Sequence, residues 1–132
     1  MFFRGNWCPL CMCQVKEITK QYRELAELGV RVALISPQPH HNAQLLSARF
    51  DVDFDFLVDP GARAAKTLGI FHANGVPAGL ELLGYARDTV LPTVVVADRE
   101  GKILFSDQTD NYRVRPEPST FMSVLRFARG SN

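Results

Sequence analysis

Phe2-Phe3-Arg4-Gly5-Asn6-Trp7-Cys8-Pro9-Leu10-Cys11-Met12-Cys13 carries all three cysteines of a 132-residue chain, gathered within six consecutive positions behind a very short apolar start. Phe2-Phe3 reads as the tail of a strand. From Pro9 a helical pattern runs to about Leu28. Val15, Ile18, Tyr22 and Leu25 recur at spacings of three and four, and Lys16, Glu17, Lys20, Arg23, Glu24 and Glu27 form the wet face. Pro9 just inside the start and Gly29 just past the end suit a helix of those limits.

A strand that feeds a helix opening on Cys-x-x-Cys gives the first sulfur a defined task. Cys8 stands at the amino end, where unpaired backbone N–H groups and the helix dipole favour an anion. In partly buried sites that effect reaches ~2 kcal/mol, or about one and a half pK units at about 1.4 kcal/mol each. It favours the nucleophilic thiolate. Arg4 would add to it by folding back toward the site. Cys11 lies about 60° around the helix axis from Cys8, so a short-range disulfide is geometrically reasonable. Pro9 fixes the backbone between them and removes a donor that the helix start does not use. Cys13 points about 160° away from Cys11 and about 140° away from Cys8. It is expected to face the sheet or a neighbouring element as a small buried apolar residue.

Two other readings of the three sulfurs are open to the residues. A metal clip needs ligands converging on one point, which Cys-x-x-Cys-x-Cys manages on a knuckle loop but not on a regular helix. His40, His41 and His72 are the available fourth ligands. An inert set of small hydrophobes is the other reading. Asp51, Asp53 and Asp55 imitate the start of a calcium loop, yet Phe56 stands where its glycine belongs and Ala62 where its glutamate belongs.

Downstream, residues 30–36 read as a mostly buried strand stopped by Pro37 and Pro39. A helix is expected from His41 to Phe50. Phe50, Val52, Phe54 and Phe56 then alternate with aspartates at strand periodicity. Asp59-Pro60-Gly61 is a turn, Ala62 to Leu68 a short helix ended by Gly69, and Leu80 to Tyr85 a further short helix. Val94–Ala97 and Ile103–Phe105 form a hairpin over residues 98–102. The last helix spans Ser119 to Ala128, with Phe121, Val124, Leu125 and Ala128 on its inner face. Leu91-Pro92-Thr93 precedes a buried strand, where proline is costly unless the chain turns. A cis Leu91–Pro92 peptide is expected there, with its backbone beside the cysteine pair. The whole is an α/β sandwich around a mixed sheet, one domain over residues 1–132.

Composition narrows the function classes. Apolar content is 46% and charged content 22%, ordinary values for a globular chain. A formal charge of +1 gives no electrostatic reason to expect nucleic acid or an anionic membrane as partner. No apolar run approaches the roughly 18 residues that span a bilayer, and the opening lacks a secretory h-region. A tight, odd cluster of cysteines is a poor secreted disulfide framework, which makes the cytoplasm the expected compartment.

Trp7-Cys8-Pro9-x-Cys11 and Leu91-Pro92-Thr93 together resemble the thioredoxin fold. The closer resemblance is to the alkyl hydroperoxide reductase/thiol-specific antioxidant (AhpC/TSA) family, in its peroxiredoxin-like branch. That branch opens on F-[FY]-R-G-x-W-C-P-x-C, matched by Phe2 to Cys11. It continues with I-S-P-Q, matched by Ile35 to Gln38, and L-x-D-P, matched by Leu57 to Pro60. Before the last helix it has Y-x-x-R-P-E-P, matched by Tyr112 to Pro118. The resemblance implies a thioredoxin-like three-layer sandwich with a central mixed sheet, and a thiol-dependent oxidoreductase with antioxidant activity. Cys8 and Cys11 would be the catalytic residues, and Trp7, Pro92 and Thr93 would bind substrate. No cofactor and no metal are implied. The expected partners are a hydroperoxide or protein disulfide as substrate and a small thiol or thioredoxin-like protein as reductant.

The sequence also departs from the family pattern. Aligned with typical peroxiredoxins, Cys8 takes the place of a threonine and Cys11 that of the peroxidatic cysteine. Pro92 takes about the place of an arginine that polarises the peroxide. Both differences shift the expectation toward dithiol exchange, with Cys8 attacking because the helix end exposes it. Arg113 and Arg115 resemble a family segment near the active-site end and are read as exposed structural residues. The chain also starts inside the first strand, so the amino-terminal extension of family members is expected to be missing. The edge this leaves bare predicts a homodimer. The alternative function is a non-enzymatic, degenerate redoxin module that binds a metal ion or a protein partner.

Overall fold

A computed structural model describes residues 1–108 and 117–130. Tyr112, Arg113 and Arg115 lie outside the described residues.

The short apolar start is the middle of the sheet. Phe2 bridges Ile35 in parallel and Thr93 in antiparallel fashion. Its N–H donates to the Thr93 carbonyl at 2.8 Å, the Thr93 N–H returns to the Phe2 carbonyl at 3.2 Å, and the Phe3 N–H donates to Ile35 at 2.9 Å. Strand β1 (Ala33–Ser36) pairs in parallel with β2 (Asp55–Val58). Strand β5 (Thr93–Ala97) pairs antiparallel with β6 (Ile103–Gln108). The order across the mixed sheet is therefore β2, β1, the Phe2 segment, β5, β6. A separate small ladder joins β3 (Phe71–His72) to β4 (Thr89–Val90).

Strand alternation sends the two phenylalanines to opposite faces. Phe3, 1% exposed, joins a core with Leu34 and Val94 of the sheet. Cys11, Val15 and Ile18 of helix α1 (Pro9–Thr19), Leu25 of α2 (Tyr22–Glu27), Leu46 of α3 (His40–Phe50), and Phe121 and Met122 of α5 (Pro118–Gly130) complete it. Phe2 packs on the other face with Val90, Ile70, and Ala65 of α4 (Arg63–Thr67). Helices on both faces of one mixed sheet make three layers.

The structure corrects the expected pattern at several places. The helix read from Pro9 to Leu28 is two helices. The Thr19 hydroxyl donates to the Lys16 carbonyl at 2.7 Å, and the Gln21 N–H turns back to Ile18 at 3.0 Å. A threonine back-bond of this kind competes with the helical ladder and bends it. The alternating phenylalanines around residue 52 do not form a strand. Helix α3 runs through Phe50 and ends on a left-handed Asp51, so pairing begins only at Asp55. The Leu91–Pro92 peptide is trans. Pro92 stands one residue before the β5–β6 ladder opens at Thr93–Gln108, where no donor is asked of it. The Thr93 hydroxyl closes the step by donating to the Leu91 carbonyl at 2.9 Å.

The helix expected at residues 80–85 is a single 3₁₀ turn, Leu80–Leu83, between Gly79 and Gly84, both at positive φ. The hairpin and the last helix form where the sequence placed them, extended to Ile103–Gln108 and Pro118–Gly130.

Candidate active site

Cys8 is the residue at which strand becomes helix. Its backbone is extended, at φ −91° and ψ 110°, and its Sγ accepts the Cys11 N–H at 3.3 Å as the cap of α1. A thiol sulfur in this place meets one of the unpaired donors at a helix start. The same donor stabilises negative charge on that sulfur. Cys11 Sγ accepts in turn from the Arg4 N–H at 3.4 Å. Each sulfur of the pair thus receives a backbone donor, one from the helix and one from the incoming strand.

Cys8 is 3% exposed and Cys11 fully buried. The expectation that the helix end exposes Cys8 is corrected: Cys8 belongs to the core cluster with Phe3 and Cys11, and Trp7 packs against that cluster. Cys13 is also corrected, because it is exposed. Cys11, Val15 and Ile18 set the inward stripe of α1, and a residue about 160° from that stripe points to water.

The turn before Cys8 requires a glycine. Gly5 has φ +154°, and a Cβ there would lie 2.5 Å from Trp7 Nε1 and 2.7 Å from Trp7 Cδ1. The indole edge is close against Gly5, and the Arg4 guanidinium lies over the ring, 4.9 Å from its centroid. Arg4 is 5% exposed and donates from its guanidinium to the Gly75 carbonyl. Its own carbonyl accepts the Thr89 hydroxyl at 2.8 Å. The Arg4 side chain is thus held between the Trp7 ring and the Gly75 carbonyl.

The antiparallel register Phe2–Thr93 sets Pro92 beside Phe3, at the sheet end that carries the cysteines. Pro92 and Thr93 are buried, and the Thr93 hydroxyl is committed to Leu91. Arg4, Trp7, Cys8 and Cys11 thus lie on one turn and helix start, with Pro92 opposite Phe3 and the Thr93 hydroxyl turned back to Leu91. Among the described residues, no three His, Cys, Asp or Glu side chains converge as metal ligands.

Sequence reasoning passed over Gln38 and Thr89. Gln38 stands in the quoted I-S-P-Q segment, yet only the fold shows that its amide meets Asn6, at 2.8 and 2.9 Å. Nothing in the sequence marks Thr89. His72 lies against Gly75, where an added Cβ would come within 2.6 Å of its Nδ1. Burial, and then the Arg4 charge, hold its imidazole below the ordinary value of 6.5. The folded state therefore resists a proton that the unfolded chain accepts, so this contribution to stability is present above 6.5 and lost as pH falls through the lowered value. The urea midpoint should drop on acidification from about pH 7 to about pH 5.5, a window set by the imidazole range. In His72→Gln the drop should be smaller, as measured by fluorescence-detected unfolding at each pH.

The description "AhpC/TSA family" belongs to a family model that matches residues 1–106. The chain belongs to the AhpC/TSA family. Among solved structures, this AhpC/TSA chain is similar to the AhpC of Enterococcus faecalis at 14% identity and a TM-score of 0.74, over 98% of this chain and 73% of that one. It is similar to reduced Prx3 of Vibrio vulnificus in complex with hydrogen peroxide at 13% identity and TM-score 0.75, over 94% and 77%. For Mycobacterium tuberculosis AhpC the values are 12% and 0.73, over 99% and 68%. The search of curated proteins finds no match. The shared fold is the thioredoxin-like sandwich of the peroxiredoxins, and family and fold together support thiol-dependent peroxidase or antioxidant function. Among the described residues no helix is long and apolar enough to cross a membrane.

Proposed function

We propose that this AhpC/TSA protein reduces hydroperoxides with the Cys8–Cys11 dithiol, Cys8 attacking and Cys11 resolving. The observation that carries the assignment is the Cys11 N–H on Cys8 Sγ at 3.3 Å, a fixed donor aimed at the sulfur that must carry charge. The Cys8 thiolate attacks the terminal oxygen of the hydroperoxide. The O–O bond breaks, the alkoxide leaves and takes up a proton as the alcohol, and Cys8 becomes a sulfenic acid. Cys11 gives up its proton and its thiolate attacks the Cys8 sulfur; the S–O bond breaks, hydroxide leaves and takes up a proton as water, and an intramolecular disulfide forms.

A small thiol or a thioredoxin-like dithiol restores both cysteines by exchange, itself ending as the disulfide. Burial of Cys8 favours a small hydroperoxide over a protein disulfide as the oxidant. Trp7 and the Pro92 backbone flank the approach. One equivalent of hydroperoxide should lower the intact mass by two hydrogens, and a dithiol reductant should restore it. A mass that rises only in steps of one oxygen, with no loss of hydrogen, would refute the resolving role of Cys11.

A further inference from the structure

Asn6 is the tip of the turn that delivers Cys8, two residues before it. Its N–H donates to Gln38 Oε1 at 2.8 Å, its Oδ1 accepts from Gln38 Nε2 at 2.9 Å, and its Nδ2 donates to the Asn42 carbonyl at 2.8 Å. Gln38 is 5% exposed and follows the end of β1, so the clasp ties the cysteine turn to the β1–α3 connection across 32 residues of sequence. A buried amide without partners is costly. Here each amide supplies what the other lacks, and the turn has one low-energy placement. The turn closes on itself through the Cys8 N–H to the Gly5 carbonyl at 3.1 Å. Asn6 is thus the point at which an outside element holds it. The Cys8 sulfur can take the Cys11 N–H only while its backbone enters the helix at this angle.

We infer that Gln38, through Asn6, is a positioning residue that holds Cys8 Sγ on the Cys11 N–H and so maintains its thiolate at neutral pH. The inference rests on the proposed role of Cys8 as the attacking thiol. A clasp that only stabilised the fold would change the unfolding midpoint and leave the ionisation of Cys8 where it was. A positioning clasp changes both.

The test uses Cys11→Ser/Cys13→Ser protein, in which Cys8 is the sole thiol and the residue 11 N–H is kept. Thiolate absorbance is followed against pH with Gln38 intact, with Gln38→Met, with Asn6→Ala, and with the two combined. Gln38→Met keeps most of the side-chain volume, and Asn6→Ala carries the test should Gln38→Met fail to fold. Each single change should lower the thiolate fraction at neutral pH by about three- to tenfold, the factor carried by one hydrogen bond of ordinary strength. The double variant should fall short of the sum of the two single effects, because both remove the Gln38 Nε2–Asn6 Oδ1 bond. Folded variants with an unmoved thiolate midpoint, or with effects that simply add, would overturn the inference. The intact-mass result with wild-type protein judges the dithiol chemistry separately, since it does not depend on Gln38.

Discussion

Cys8→Ser is expected to lower peroxide consumption by about a thousandfold or more, the scale on which loss of an essential nucleophile acts. The serine hydroxyl can accept the same Cys11 N–H, so the helix start keeps its cap while the thiolate is gone. Cys11→Ser should fail at a different step. Its Cys8 still reacts with the first equivalent of hydroperoxide and stops at the sulfenic acid, which a dimedone adduct in the mass spectrum would reveal. Cys13→Ser should consume peroxide like the wild type, because Cys13 is exposed on the far side of α1. A Cys8→Ser protein that retains the rate beside an inert Cys11→Ser protein would transfer the attack to Cys11.

The second large effect is on stability. Phe3 is 1% exposed in the middle of the sheet, packed with residues from the sheet and its helices. Phe3→Ala should cost about 3–5 kcal/mol, through lost transfer energy and the cavity left behind. That is a large share of the roughly 5–15 kcal/mol that holds a domain of ordinary stability. Because Arg4 follows Phe3 and gives its N–H to Cys11 Sγ, the cavity should also loosen the dithiol. Urea unfolding would measure the first effect, and the rate of Cys11 alkylation under native conditions the second. A loss below about 1 kcal/mol, the scale of a surface change, would contradict the central place given to this strand.

Most of this architecture was legible in periodicity. Val15 and Ile18 at helical spacing, the buried run ending at Ser36 and the Val94–Phe105 hairpin are local patterns; the helix and hairpin form there, and the strand read over residues 30–36 forms only from Ala33. The misreadings were of tertiary origin. Angular position separated Cys13 from Cys11 correctly, but only the packed sheet decides which side of α1 is inside. Phe50, Val52, Phe54 and Phe56 alternate as a strand would, yet α3 claims Phe50 and β1 offers partners only from Asp55. Pro92 suggested a cis turn because nothing local showed that the ladder starts one residue later.

At the candidate site, the spacing and the helix start set Cys8 and Cys11 apart from Cys13, and the structure buries the first two and exposes the third. The supports came from afar. Gln38 reaches Asn6 across 32 residues and Thr89 reaches Arg4 across 85. Contacts of that range leave no periodic trace. The burial of Cys8 is of the same kind, since it comes from a core cluster drawn from distant parts of the chain.

The most direct test of the dithiol is a peptide map of wild-type protein after one equivalent of hydroperoxide, with remaining thiols alkylated under denaturing conditions. The account predicts a Cys8–Cys11 disulfide within one peptide, with Cys13 fully alkylated. A disulfide that engages Cys13, or Cys8 and Cys11 both recovered as alkylated thiols, would contradict it.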